Sequence, residues 1–335
     1  MSTTTNPDAL EKLEDEIKQL ELTLPCKLWL GTYNMYFYQG FWSLVLKPTI
    51  SFQSHFQADD TDIILASLPK TGTTWSKSLI FSIVNRKKFP DVSNHPLQTQ
   101  NPHELVLHFE HKLYRDCKEG CEPDFTKLSS PRLFATHVPY PSLPNSIKTS
   151  KCKIIYVCRN PLDTFMSNWH FILEVSKNES VTPNMLEDLF GKFCKGDFPY
   201  CPYDDHIVRY WKESMENPDK VLFMEYEGLK EDPNAQVKRL AEFLGCPFSE
   251  EEEKENVIDE IIKLCSLDSL KEMEINKSGK FYHFVENKAL FRKGEVGDWT
   301  NYLTPSMLKE HYQVLQEKLN KSGFTSRHYV SQEFP

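Results

Sequence analysis

The chain has no apolar run that approaches the ~18–20 residues a membrane-crossing helix needs; the longest, such as Leu79 to Val84, stop far short. Its first thirty residues carry acidic charges and lack the apolar centre of a signal peptide. None of its nine cysteines forms a CxxC pair, the closest being Cys117 and Cys121, and no pair of histidines stands beside them at zinc-ligand spacing. That argues against a structural metal site. It favours reduced thiols that act as small hydrophobes in a reducing compartment, and with no targeting signal that compartment is the cytosol. Positive charge is also in short supply, at 39 Lys plus Arg against 48 Asp plus Glu, a net charge of −9. Phosphate neutralisation drives nucleic-acid binding, so a general role there is excluded. An anionic ligand must instead be gripped by a local cluster of cations. Internal repeats and low-complexity linkers are absent as well.

Large rings are abundant: 22 Phe, 14 Tyr and 6 Trp among 335 residues, enough to build a sizeable core and to rule out wholesale disorder. At about 150 residues per domain the length allows one large domain or two small ones. In residues 1–24, Leu10, Leu13, Ile17, Leu20 and Leu24 recur at heptad-like spacing among Glu and Lys. Two heptads are too few for a coiled coil, so the segment reads as a polar, amphipathic helix, docked or frayed. An aromatic stretch follows, from Trp29 through Phe37 and Trp42. It suits core packing or one wall of an apolar ligand pocket.

From there the pattern is strand, loop, helix. Asp62–Leu68 is a short apolar run of parallel-strand type, followed by a helix over Trp75–Arg86. Cys152–Cys158 leads into a helix from Leu162 to about Glu174. Lys220–Tyr226 leads into a helix over Asn234–Leu244 that stops at Gly245. Arg132–Val138 supplies a fourth strand. Ser249 and Glu252 have capping-box spacing before a helix over 249–263. Residues 275–290 lack periodicity and read as a long loop of the kind that forms lids. This alternation predicts an α/β fold, three layers with a central parallel sheet, in a single domain over residues 25–335.

Four segments carry chemistry. Leu68-Pro69-Lys70-Thr71-Gly72-Thr73-Thr74-Trp75 lies between a strand and a helix. Gly72 allows a tight turn, inward amides meet the positive end of the helix, and Lys70 and three threonine hydroxyls add donors, so the segment is an anion cradle. A triphosphatase loop places its lysine after the last glycine and pairs with a metal-binding aspartate. Here Lys70 precedes Gly72 and the strand over 154–157 runs into Arg159, so a donor that needs no magnesium fits better than ATP. Arg159 at a strand end, with Ser167 two helical turns on, suits a phosphate dianion. Arg292-Lys293-Gly294, followed by Gly297-Asp298-Trp299, forms a second anion clamp. His137, in Thr136-His137-Val138-Pro139, closes a strand and has the natural pKa range for a general base.

In order and separation, PKTGTTW, THVP, RNPxDxxxS and RKGxxGDW resemble the cytosolic sulfotransferase family. The segments NPHEL, YQGFW and LTPSM are similar to its plant branch, and the likeness runs from about residue 25 to the C-terminus. The resemblance implies about five parallel strands flanked by helices, related to P-loop nucleotide kinases, and transfer of sulfonate from 3′-phosphoadenosine 5′-phosphosulfate (PAPS), a metal-free co-substrate, to a small acceptor. By that resemblance Lys70, Thr71, Gly72, Thr73, Thr74 and Trp75 hold the 5′-phosphosulfate. Arg159, Ser167, Arg292, Lys293 and Gly294 hold the 3′-phosphate. Trp75 and Tyr226 line the adenine site, with Leu267 and Phe291 nearby. His137 is the catalytic base, and Lys70 steadies the leaving phosphate.

Two departures stand out. The dimer signature of many animal members is replaced around Thr300, Thr304, Pro305 and Lys309, which predicts a monomer. Cys265 stands where the family has an adenine-contact threonine. An apolar, aromatic acceptor pocket is expected from Phe37, Trp42, His137, Tyr140 and Phe171, suited to a flavonoid, steroid or hormone hydroxyl. The alternatives are a nucleotide kinase, which needs magnesium and a carboxylate near Lys70, and a nucleotide-binding module without chemistry.

Overall fold

The computed structural model describes residues 7–117, 121–176, 181–281 and 285–329. Short apolar runs with β-branched residues pair side by side into a five-stranded, wholly parallel sheet. Its strands are β4 (Ile63–Ser67), β5 (Leu107–His108), β6 (Leu133–Thr136), β7 (Lys153–Cys158) and β8 (Val221–Glu225), in the order β5-β6-β4-β7-β8. All four neighbouring pairs run parallel, so β4, the strand that feeds the cradle, lies at the centre with Ala66 opposite both Thr136 and Tyr156. Side chains alternate between the two faces. Ile64, Ala66, Ile154 and Tyr156 join one buried cluster, and Ile63, Leu65, Ile155 and Val157 join the other. A sheet buried on both faces is the middle of three layers, as the alternating sequence pattern predicts.

The helices expected after the strands form at Thr73–Asn85, Pro161–Val175 and Pro233–Phe243. The capping box of Ser249 and Glu252 is present, but the helix it opens ends at Lys254. A new helix runs from Val257 to Leu264 after Asn256 adopts a left-handed φ of 59°.

Three elements differ from the sequence reading. The aromatic stretch folds as an antiparallel sheet, β1 (Cys26–Trp29), β2 (Tyr33–Tyr38) and β3 (Phe41–Ser43). β5 is only two residues long, too short to show a period. Residues 275–290 are not one loop: a helix over Glu274–Ser278 and a 3-10 turn over Asn287–Leu290 are joined by a bridge between Lys280 and Glu286, while 282–284 lie outside the described residues. The N-terminal helix, Pro7–Thr23, docks through Ile17 on Leu46 and Ile50 of the helix Leu46–His55.

Candidate functional site

Parallel strands end on one edge of a sheet, and that edge is where ligands of such folds bind. β4 ends into Lys70 and Gly72, β6 into His137 and β7 into Arg159, so three of the four chemistry-bearing segments share this edge through the register of the strands alone, and β8 brings Tyr226 to it.

The cradle needs its glycine. Gly72 has φ 106°, and a Cβ there would lie 2.6 Å from the ring of Tyr226. Tyr226 thus lies directly over the loop. It stands edge-on to Trp75 at 5.5 Å, carries the Arg159 guanidinium 4.6 Å above its ring, and donates its hydroxyl to the Gly294 carbonyl at 2.8 Å. Gly294, with φ 64°, would crowd Leu267 and the Tyr226 hydroxyl if it bore a side chain. One ring therefore joins the cradle, the β7 arginine and the third motif.

The first amides of the Thr73–Asn85 helix have no carbonyl one turn back to bond, and they head a helix dipole. Of the three threonine hydroxyls expected to serve as donors, Thr71 does not: it is buried and its hydroxyl donates to the carbonyls of Leu68 and Val157, closing the loop on itself. Thr73 Oγ1 bonds Ser67 Oγ at 2.8 Å, and Thr74 Oγ1 bonds His103 Nε2 at 2.9 Å. Lys70 lies 4.2 Å over the ring of Phe171. Burial, with Arg292 and Arg159 adding like charge, pulls its ammonium down to about 7. The helix that carries Ser167, which is itself buried, is tied to the cradle by Asn168, whose amide donates to the Pro69 carbonyl at 3.2 Å.

Arg159 donates to the Glu295 carbonyl at 2.5 Å and lies 3.7 Å from Asp163, whose carboxylate accepts the amides of Gly297 and Trp299. Arg292 and Lys293 both reach Asp298, at 2.7 and 2.8 Å. Burial works against the Asp298 carboxylate, yet the hydrogen bonds from Lys293 and Arg292 hold it at about 2. Among the described residues, buried Nε of Arg159, Nε of Arg292 and Nε1 of Trp75 have no acceptor. Orphaned buried donors are costly unless something accepts from them.

His137 has a fixed tautomer. Its Nδ1 is 2.6 Å from the Ser67 carbonyl, which can only accept, so Nδ1 carries the hydrogen and Nε2 the lone pair. Glu110, fully buried on the β5 side, accepts the His137 amide at 2.6 Å and the Thr136 hydroxyl at 3.0 Å. His206 donates to the His137 carbonyl. Burial first, then His108 and His111, pull the His137 imidazole well below its ordinary 6.5. The rings of His108 and Tyr200 lie 4.5 and 5.3 Å from it.

Of the aromatic candidates for an acceptor wall, Phe37 and Trp42 form one pair at 5.0 Å, and Trp42 exchanges backbone hydrogen bonds with Tyr200 and Cys201. Tyr140 instead packs on Tyr210. Cys265 lies fully buried beside Ser82. The sequence reading missed Tyr200, Glu110, His108 and His111. The compressed run His108-Phe109-Glu110-His111, with its titratable groups in an apolar setting, was the one available signal.

A family model described as "Sulfotransferase domain" matches residues 60–323. Cytosolic sulfotransferase 15 of Arabidopsis thaliana is 45% identical over 322 residues, covering 95% of this chain and 89% of its own. Cytosolic sulfotransferase 5 of the same plant is 47% identical, covering 94% and 97%. A crystal structure from Arabidopsis thaliana, provisionally described as a steroid sulphotransferase, superposes with a TM-score of 0.72 at 40% identity, over 94% of this chain and 97% of the other. A mouse sulfotransferase in complex with PAP, the desulfated nucleotide, superposes with a TM-score of 0.63 at 26% identity, over 86% and 95%. The near-full coverage leaves no large part of the fold outside these kinships. The chain is a sulfotransferase enzyme and belongs to the plant cytosolic branch of that family.

Proposed function

We propose that the protein transfers the sulfonate of PAPS to the hydroxyl of a small, apolar or aromatic acceptor, with His137 as general base. The observation that carries this is the convergence of Lys70, Arg159 and Arg292 on one sheet edge, with the lone pair of His137 Nε2 available at the end of the neighbouring strand. The residues fit the nucleotide: the orphaned N–H groups of Arg159, Arg292 and Trp75 call for acceptors, and the two glycines at the cradle and clamp leave room where a Cβ would collide.

PAPS supplies an activated sulfuryl group with a phosphate as leaving group. Arg159, Ser167, Arg292, Lys293 and the Gly294 backbone would hold the 3′-phosphate. The amides of residues 72–75 and the hydroxyls of Thr73 and Thr74 would hold the 5′ end, with Thr71 closing the loop beneath them. Trp75 and Tyr226 would bracket the base. The acceptor oxygen attacks sulfur from the side opposite the bridging oxygen, its proton passes to His137 Nε2, and the sulfur–oxygen bond to phosphate breaks. Lys70 and the cradle amides meet the charge that grows on that phosphate; removing one such preorganised donor typically costs about 100- to 1,000-fold in turnover.

The rings of Phe37, Trp42, Phe171 and Tyr200 support an apolar acceptor, and the description of the Arabidopsis structure favours a steroid-like one. On this reading residues 25–335 act as one catalytic domain of a monomer, cytosolic like the relatives by their names. The test is transfer of labelled sulfonate from PAPS to a panel of flavonoids, steroids and hormone-type alcohols without added metal. Transfer to at least one is expected. A chain that binds PAP yet labels none of them, or labels only when magnesium is added, would overturn the reading.

A further inference from the structure

The segment Asn101-Pro102-His103-Glu104-Leu105 has no place in the scheme above, yet it is firmly built. Asn101 and Glu104 close a reciprocal capping box on the short helix Pro102–Leu105, and Asn101 is tied by its side-chain amide to Asn276 Oδ1 at 2.8 Å. This holds His103, 8% exposed and lying against Phe281, next to the cradle.

Two hydrogen bonds give His103 a direction. Its Nδ1 is 3.1 Å from Lys77 Nζ, and its Nε2 is 2.9 Å from Thr74 Oγ1. Lys77 is fully buried one turn after Thr74 on the same helix, and its Nζ also donates to the Val106 carbonyl at 2.9 Å. As an ammonium, the lysine nitrogen can only donate. Its donation to Nδ1 fixes the hydrogen of the neutral imidazole on Nε2. Nε2–H then donates to Thr74 Oγ1. A hydroxyl has one hydrogen, and with its oxygen already accepting from His103, that hydrogen is free to point into the cradle.

We propose that Lys77 and His103 are positioning residues that set the Thr74 hydroxyl as a donor toward the 5′-phosphate side of the nucleotide. This rests on the PAPS reading of the cradle. The alternative tautomer would draw the Thr74 hydrogen back to Nε2 and turn oxygen lone pairs toward an anion, so the chain converts a repulsive contact into an attractive one. Burial keeps the His103 imidazole neutral, its pKa lying well below the ordinary 6.5, which suits a group that must both accept and donate.

The experiment has two parts on the full chain. Nitrogen-15 NMR of the ring nitrogens, with His103 assigned by its loss in His103→Gln, reads the tautomer with no nucleotide present. Protonated Nε2 and bare Nδ1 are expected; the reverse overturns the proposal, even if every lysine variant fails to fold. Titration calorimetry with PAP then compares Lys77→Met, Thr74→Val and the double variant. Loss of one hydrogen bond to a charged ligand weakens binding by about tenfold or more, so each single variant should bind more weakly by about that factor and the double variant no more weakly than Thr74→Val alone. Unchanged binding by Lys77→Met, or losses that multiply in the double variant, would overturn it. Failure of the wild type to bind PAP counts against the nucleotide reading, while the tautomer is read independently of it.

Discussion

The Nδ1–H of His137 donates to the backbone carbonyl of Ser67 at 2.6 Å, binding the end of β6 to the end of β4. The bond orients the imidazole across the two strands that frame the cradle. It also leaves Nε2 as the basic nitrogen, because a carbonyl accepts and cannot donate. His137→Ala should therefore lower turnover by about 100- to 10,000-fold, the usual range for a general base, while the Kd for PAP stays within about threefold. Near-native turnover in that variant would remove His137 from the base role. The sign of its pKa shift gives a second outcome. Because the imidazole titrates well below 6.5, it is already neutral at pH 6.5, so no acid limb assignable to His137 should appear between pH 8 and 6.5.

Lys70 sets the opposite limb. With its ammonium lowered to about 7 by burial and by Arg292 and Arg159, part of the protein carries a neutral Lys70 at neutral pH. A phosphate ligand favours the charged form, so PAP binding takes up a proton, and kcat/KM for PAPS should fall as pH rises through about 7. Calorimetry at pH 7.5 in two buffers of different ionisation enthalpy should show this uptake in the wild type and none in Lys70→Met. Proton release, or no difference between buffers, would contradict it.

Much of this edge was legible in the sequence because its signals are local. The apolar runs at Ile63–Ser67 and Lys153–Cys158 are followed directly by the cradle and by Arg159, and a parallel sheet necessarily brings such ends together. The third motif is fixed by a long-range hydrogen bond, Tyr226 to Gly294, and only the resemblance joined it to the rest. Other parts were hidden for physical reasons. β5 has two residues, and its partner β6 supplies its register. Glu110 looks like an ordinary surface carboxylate until two donors 26 and 27 residues away claim it. Thr71 is indistinguishable from Thr73 by composition; which hydroxyl turns inward depends on the left-handed backbone of Lys70 and Gly72.

That backbone makes Gly72 a sharp test. Gly72→Ala must place a methyl group in a φ of 106° and within 2.6 Å of the Tyr226 ring. Relieving the contact moves Tyr226, and with it the ring under Arg159 and the hydroxyl on Gly294. PAP affinity should drop by about tenfold or more, since left-handed strain alone costs about 1–2 kcal/mol, a factor of about 5–30. Tyr226→Ala in the same chain removes the collision but not the backbone strain, so the double variant should regain little. Tight PAP binding by Gly72→Ala would mean that the loop tolerates another backbone path.

Among Lys70, Arg159, Arg292 and Lys293, Arg159 is the best buried and the most firmly supported. Its carbonyl accepts the hydroxyls of Tyr203 and Tyr329, and its guanidinium is held by Glu295 and Asp163. Its Nε–H has no acceptor among the described residues. A guanidinium held this rigidly loses little freedom on meeting a phosphate, and its planar fork suits two oxygens at once. Arg159→Ala should therefore weaken PAP by about 100-fold, in the range for a lost charge-assisted hydrogen bond pair, and change the KM of the acceptor by less than about threefold. Lys in its place keeps a charge but not the fork, so Arg159→Lys should recover only part of the affinity. Adenosine 5′-phosphate, which lacks the 3′-phosphate, separates this from a general electrostatic effect: the variant and the wild type should bind it alike. Equal losses for PAP, adenosine 5′-phosphate and acceptor would place Arg159 in the support of the whole edge and not at the 3′-phosphate.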